Sequence, residues 1–140
     1  MKTLIDTCVL SEARRNGGNP NVRERLAAID DRDLYLSVIT IGEVVKGIEL
    51  LQASERKRKL EIWVRDLQDH HAERILPIDL RVCRIWGEIT ARAQERGVTI
   101  PAADALIAAT ALHHDLLILT RNTAHFQATG ARIEDPWQDA

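Results

Sequence analysis

Ile100 to Asn122, IPAADALIAATALHHDLLILTRN, is the stretch whose reading decides the fold. From Ala102 to Leu112 only Asp104 and Thr110 are not apolar, a run too long for a strand and too uniformly apolar for a helix with one wet face. It predicts a buried helix, kept slim by its alanines so that it lies close against a sheet. Leu116 to Leu119 follows at once, a short continuous apolar run of the kind that fills the centre of a parallel sheet. The unit implied is a helix running directly into a parallel strand. Asp104 is the anomaly: it puts a carboxylate in the first turn of a helix bound for the core, where an unpaired charge is expensive. A helix N-terminus or a metal ion would supply the missing partner.

Outward from that stretch, the 140 residues have the length of one ordinary domain with a real core, so residues 1–140 are expected to form a single unit. Hydrophobic residues make up 45% and charged residues 29%, which is globular composition and argues against disorder. Aromatic residues are only 4%, so aliphatic side chains must build the interior. Cys8 and Cys83 are far apart with no C-x-x-C spacing, which points to neither a zinc site nor a disulfide framework and suits a reducing cytoplasm. The opening residues do not read as a secretory segment, and no apolar run is long enough to cross a bilayer, so no membrane role is expected. A formal charge of −2 does not favour nucleic acid as a partner; any such role needs a local cationic surface.

In chain order, Met1 to Ile5 predicts a short strand stopping at Asp6 and Thr7, then a brief helix over Cys8 to Arg15 and a Gly- and Asn-rich turn at Asn16 to Pro20. Val22 to Ile29 has helical spacing. Leu34 to Val38 is a second strand closed by Thr40, and Ile41 to Leu51 is helical again. The basic run Arg56 to Lys59 falls inside a helical hairpin reaching about His71, where it reads as an exposed helix face. Arg74 to Ile78 is a third strand. Asp79 to Arg96 is an amphipathic helix ended by Gly97, and Ala131 to Glu134 is a candidate edge strand. Strands alternating with helices define an α/β domain with a mainly parallel sheet.

Asp6 and Glu43 each follow a strand at the start of a helix, and each has a structural explanation: Asp6 as an N-cap, Thr40 to Glu43 as a capping box. Topology changes the weighting. All strands of a parallel sheet finish at one edge, so residues just beyond strand ends collect there. A helix that feeds a parallel strand begins at that same edge, which brings Asp104 to Asp6 and Glu43, with Asn122 landing nearby. Carboxylates gathered on one rim repel unless they share a cation. Hard oxygen donors without Cys or His suit Mg²⁺ or Mn²⁺.

The segments LIDTCVLSE (Leu4 to Glu12), ITIGEVVKGIELL (Ile39 to Leu51), PAADALIAATA (Pro101 to Ala111) and LTRNTAHF (Leu119 to Phe126) resemble, in order and spacing, the four motifs of the PIN domain. The resemblance covers nearly the whole chain and extends to the VapC-type toxins of bacterial toxin-antitoxin pairs, in particular the FitB-like branch. It implies a three-layer α/β sandwich around a mainly parallel five-stranded sheet and a Mg²⁺- or Mn²⁺-dependent ribonuclease. It also implies a homodimer and a VapB- or FitA-like antitoxin that blocks the active site and alone touches operator DNA. By position, Asp6, Glu43 and Asp104 match the three acids of the family, and Asn122 falls where a fourth acid or an asparagine stands. This chain departs from the pattern at Cys8, where an asparagine is common, at Asn122, which lowers the charge available to a second metal, and at His125, where many relatives carry an acid.

These readings assign Asp6 and Asp104 to a metal, with Glu43 as a third ligand or as the partner of a bound water, and Asn122 to the catalytic set. Thr120 is expected to orient the water or the scissile phosphate, and Lys46 and Arg121, then Arg14 and Arg15, to steer RNA. The adjacent pairs His70/His71 and His113/His114 lack the i, i+4 spacing of helix-borne metal ligands. Trp63, Trp86 and Trp137 read as core or interface anchors. Competing readings are a non-catalytic subunit of a DNA-bound repressor complex, a housekeeping RNA-processing nuclease, and a receiver-type phosphoacceptor domain. The last would need a lysine where this chain has only Arg121.

Overall fold

The structure is a computed structural model and describes residues 1–138. In chain order the elements are β1 (Thr3–Ile5), α1 (Thr7–Arg14), α2 (Pro20–Ala27), β2 (Leu34–Ser37), α3 (Val38–Glu49) and α4 (Glu55–His70). They continue with β3 (Ile75–Leu76), α5 (Leu80–Glu95), α6 (Ala102–His114), β4 (Leu117–Leu119), α7 (Thr123–Phe126) and β5 (Ile133–Glu134). The five strands form one sheet in the order β3-β2-β1-β4-β5, and every pairing is parallel.

Register follows from side-chain alternation. Leu4 lies opposite Ile118 and Ile5 opposite Leu119, so each strand sends successive residues to opposite faces. On one face Leu4 and Ile118 pack with Val82 and Ile89 of α5 and with Ile107, Ala108 and Ala111 of α6. On the other, Ile5, Leu36 and Leu119 pack with Val9 and Leu10 of α1, Val22 of α2 and Ile41 of α3. The sheet is thus covered on both sides, giving the expected three layers, and the aliphatic composition is what fills them. Between Ala105 and Ala111 helix α6 is buried at every position but Leu106. Its alanines let it sit close enough for Ile107 to be fully enclosed.

Strand order reverses at β1: the chain winds outward through β2 and β3, then returns to β1's other side with β4 and β5. In open parallel sheets the crevice beyond the strand ends at such a reversal is where ligands bind. Asp6 and Thr120 are the residues just past β1 and β4, stitched together by the Asp6 amide donating to the Leu119 carbonyl at 3.0 Å.

Three local readings need correction. Helix α3 starts at Val38, not Ile41, because Ser37 is its cap, with its hydroxyl accepting from the Ile39 amide at 3.0 Å. Thr40 is therefore inside the helix, its buried hydroxyl has no hydrogen-bond partner, and the capping box with Glu43 does not form. Helix α7 was not anticipated, since four residues are too few to carry a periodic signal. Elsewhere the boundaries agree to within a few residues, and Gly97 closes α5 with φ +76° as a glycine at that position should.

Candidate active site at the switch point

Asp6 is built into the frame. Its extended backbone caps α1, and Oδ1 accepts from the Thr7 amide at 2.9 Å. Oδ2 accepts from the Thr120 hydroxyl at 2.7 Å, and the Cys8 thiol lies 3.7 Å from the same oxygen. Only 3% of the residue is exposed. Burial pushes the Asp6 carboxyl above the ordinary carboxylate range; the bonds from Thr120 and Thr7 pull it back, while the negative charge of Asp104 pushes it further up. The N-cap reading therefore holds for this residue, and its second carboxylate oxygen faces Thr120 at the end of β4.

Thr7 links the first acid to the second. Its amide serves Asp6, and its hydroxyl donates to Glu43 Oε1 at 2.6 Å. Glu43 stands in the second turn of α3, exposed, with Lys46 one turn further along the same helix. Asp104 comes from the first turn of α6, near enough to Asp6 for their charges to interact. Its Oδ2 lies 2.7 Å from His125 Nδ1, and with the proton on Nδ1 the ring donates to the carboxylate. Asn122 caps α7 by position, and its amide donates to Thr120 Oγ1 at 3.0 Å. Thr120 is fully buried with its hydroxyl committed to Asp6 and Asn122, so its contact with the chemistry runs through Asp6. Arg121 is exposed beside these groups and stacks on Trp137, its guanidinium 5.0 Å from the ring centroid.

Among the described residues Asp6, Glu43 and Asp104 form no ion pair with lysine or arginine, and no three His, Cys, Asp or Glu side chains stand close enough together to cage a metal by themselves. Two of the acids are instead each held by a neutral or titratable donor, Thr7 or His125. Oxygen donors with a mutually repelling pair at their centre, Asp6 buried and Asp104 partly exposed, would fit a divalent cation. Glu43 is tied to the same rim through the Thr7 hydroxyl.

Thr7, His125 and the thiol of Cys8 touch the three acids, contacts that spacing alone did not assign. Thr7 was legible as a hydroxyl next to the first acid; His125 was visible only as a departure from a pattern. A separate hollow of about 610 Å³ lies along α2 and the residues after β5, bridged by Arg25 and Glu134 at 2.6 Å, and it contains none of the acids.

Residues 3–131 match a family model, that of the PIN domain. The chain belongs to the PIN-domain family. Within it, the chain is 39% identical over 137 residues to the toxin FitB of Neisseria gonorrhoeae, spanning 97% of this chain and 99% of that protein. It is 35% identical over 136 residues to the plasmid stability protein StbB of Pseudomonas syringae pv. tomato, spanning 96% and 98%. Among solved structures, FitAB bound to an IR36 DNA fragment superposes with a TM-score of 0.94 at 36% identity, covering 99% of this chain and 97% of the other.

Proposed function

We propose that this chain is a divalent-metal-dependent ribonuclease and the toxin of a VapBC-type toxin-antitoxin pair, with Mg²⁺ or Mn²⁺ as its cofactor. The observation that carries the reading is the buried Asp6 carboxylate beside Asp104 at the switch point, with no lysine or arginine of the described chain neutralising either. Relatives named as a VapC ribonuclease and a tRNA(fMet)-specific endonuclease, 36% and 26% identical, support the substrate class. The FitAB–DNA complex supports an antitoxin partner through which operator DNA is reached, and a homodimer follows from the family resemblance.

In this reading Asp6 and Asp104 hold the cation. When bound, the ion would acidify water and offset charge on the phosphoryl oxygens. Thr120 and the Thr7 amide fix the rotamer of Asp6, so that its geometry is set before substrate arrives. Glu43, steadied by the Thr7 hydroxyl, accepts a proton from the attacking water. Attack at phosphorus breaks the bond to the 3′-oxygen, which takes up a proton from solvent, leaving a 5′-phosphate and a 3′-hydroxyl. Asn122 and Arg121 line the approach, with the Arg121 guanidinium free to meet a phosphate along one side of its stack on Trp137. Lys46 adds positive charge one helical turn from Glu43.

The test is cleavage of single-stranded RNA by the chain purified free of antitoxin, titrated with Mg²⁺ and Mn²⁺. Asp104→Asn is expected to keep the circular dichroism of the parent and lose about a thousandfold or more in rate. A fully active Asp104→Asn chain would refute the assignment.

A further inference from the structure

The basic run in α4 does not behave as one uniform face. Lys57 turns back to its own hairpin, its ammonium donating to the Leu51 carbonyl at 3.1 Å, and Arg58 pairs with Glu55 at 2.6 Å. Arg56 and Lys59, three residues apart and so on one side of the helix, instead line a groove of about 450 Å³ with Arg14 and Arg15 from the end of α1. Sequence-distant segments thus pool four cations. The carboxylates nearby are spent: Glu55 on Arg58 and Glu12 on Arg15 at 3.0 Å. Among the described residues Arg14, Arg56 and Lys59 have no acidic partner.

Arg14 is nevertheless ordered. Its guanidinium lies 5.5 Å from the ring centroid of Trp63, which sits on the α4 face carrying Arg56 and Lys59. Stacking fixes the side chain and leaves its charge intact. Trp63 is half-buried against the α3–α4 hairpin, so the platform is rigid.

We propose that this groove is a remote subsite for the phosphate backbone of single-stranded RNA, separate from the acids that cut it. The inference rests on the ribonuclease reading. Helix α1 begins at the site, at Thr7, and ends at the groove, at Arg14; the seven steps between them at 1.5 Å each place the two about 10 Å apart. An RNA strand leaving the acids along α1 reaches three uncompensated cations a few nucleotides away. This is the local cationic surface that a chain of net charge −2 needs in order to hold a polyanion.

The experiment measures binding of a fluorescein-labelled RNA 12-mer by anisotropy in Mg²⁺, in an Asp104→Asn background that suppresses cleavage, against Arg56→Glu/Lys59→Glu in the same background. The double variant is expected to bind about tenfold or more weakly, and its log K against log salt slope to fall by about 1.4, the loss of two contacts to single-stranded phosphates. In the active chain the same pair raises KM for the 12-mer and leaves dinucleotide cleavage unchanged. Arg56→Gln/Lys59→Gln and Arg14→Gln carry the test if the charge reversal unfolds the helix. Unchanged affinity and slope in a chain that still cuts RNA would overturn the subsite and leave the nuclease standing. Unchanged RNA binding with loss of antitoxin capture would overturn it in favour of a protein-docking groove. No cleavage by the parent with any metal would instead count against the ribonuclease reading, and the binding slope would still judge the groove.

Discussion

The rim at the switch point and the groove at the far end of α1 are opposite solutions to holding like charges together. At the rim, Asp6 is 3% exposed and every one of its oxygens is hydrogen-bonded within the frame, so its position is dictated by β1, β4 and α1. In the groove, Arg56 and Lys59 are exposed, lie on long flexible stems and have no acidic partner among the described residues. A reaction that depends on placement needs the first arrangement; an attraction that tolerates sliding along a strand needs only the second. Substitutions at the rim are therefore expected to act on kcat and to ignore salt, and those in the groove to act on KM and change its salt dependence.

The largest effect that sharpens this contrast, short of removing an acid, is expected at Thr120. Thr120→Val deletes the 2.7 Å bond to Asp6 and strands the Asn122 amide. A buried carboxylate that loses one donor costs about 1–3 kcal/mol of stability. Loss of a group that orients a ligand costs about 10–100-fold in activity or metal affinity. We expect kcat to fall within that range with KM for RNA nearly unchanged, and Thr120→Ser to recover most of it. A Thr120→Val chain whose defect lies entirely in KM would erase the distinction between the two regions.

His125→Ala comes next. The bond to Asp104 is half in solvent, with the histidine side chain 49% exposed, so its removal is expected to cost less than that of Thr120, about two- to tenfold in kcat, with no change in salt slope. Isothermal titration with Mn²⁺ on the variant and the parent reads the same change without activity. If affinity rises on removal, His125 opposes the cation; if it falls, His125 steadies Asp104 for it.

How much of this was legible in the sequence depended on whether a signal was local or assembled. Helix α6 and strand β4 were plain, because an alanine-rich apolar run followed by LLIL has few other resting places than a sheet centre. Their direction then placed Asp104 with Asp6 and Glu43. Helix α3's start was misread because Thr40-x-x-Glu43 satisfies the capping pattern as well as Ser37 does; burial of Ile41 and Thr40 settled the competition. Thr120 was expected at the substrate, yet its full burial follows from strand pairing of β4 with both β1 and β5, which no local pattern reveals. The groove was hidden for the same reason: Arg14 and Arg56 are separated by nearly a third of the chain, and the spending of Lys57 and Arg58 on local partners is a matter of side-chain geometry.

The smallest expected effect belongs to the two thiols, which repeat the contrast between enclosed and open ground. Cys8 lies between Asp6 and Thr120, with the Arg121 amide donating to its sulfur at 3.5 Å, whereas Cys83 is exposed on α5. Burial is the main reason that the Cys8 thiol is pushed above its ordinary value of 9.0; the Arg121 amide lowers it and the Asp6 charge raises it. Because only the thiolate attacks, Cys83 should consume a disulfide reagent rapidly at pH 8 and Cys8 slowly, giving two phases of which Cys83→Ser removes the fast one. The sign for stability follows from the same shift. Between 9.0 and the raised folded-state value the folded chain keeps a proton that the unfolded chain releases, so stability falls as pH climbs through that window. Cys8→Ala should flatten this alkaline decline in the denaturation midpoint and leave RNA cleavage at neutral pH within about twofold of the parent, since a neutral thiol adds little to the hold on Asp6 beyond the two stronger bonds. A fast-reacting Cys8 would mean that the frame between β1 and β4 opens to solvent, and with it the enclosed, fixed Asp6 on which the comparison turns would be lost.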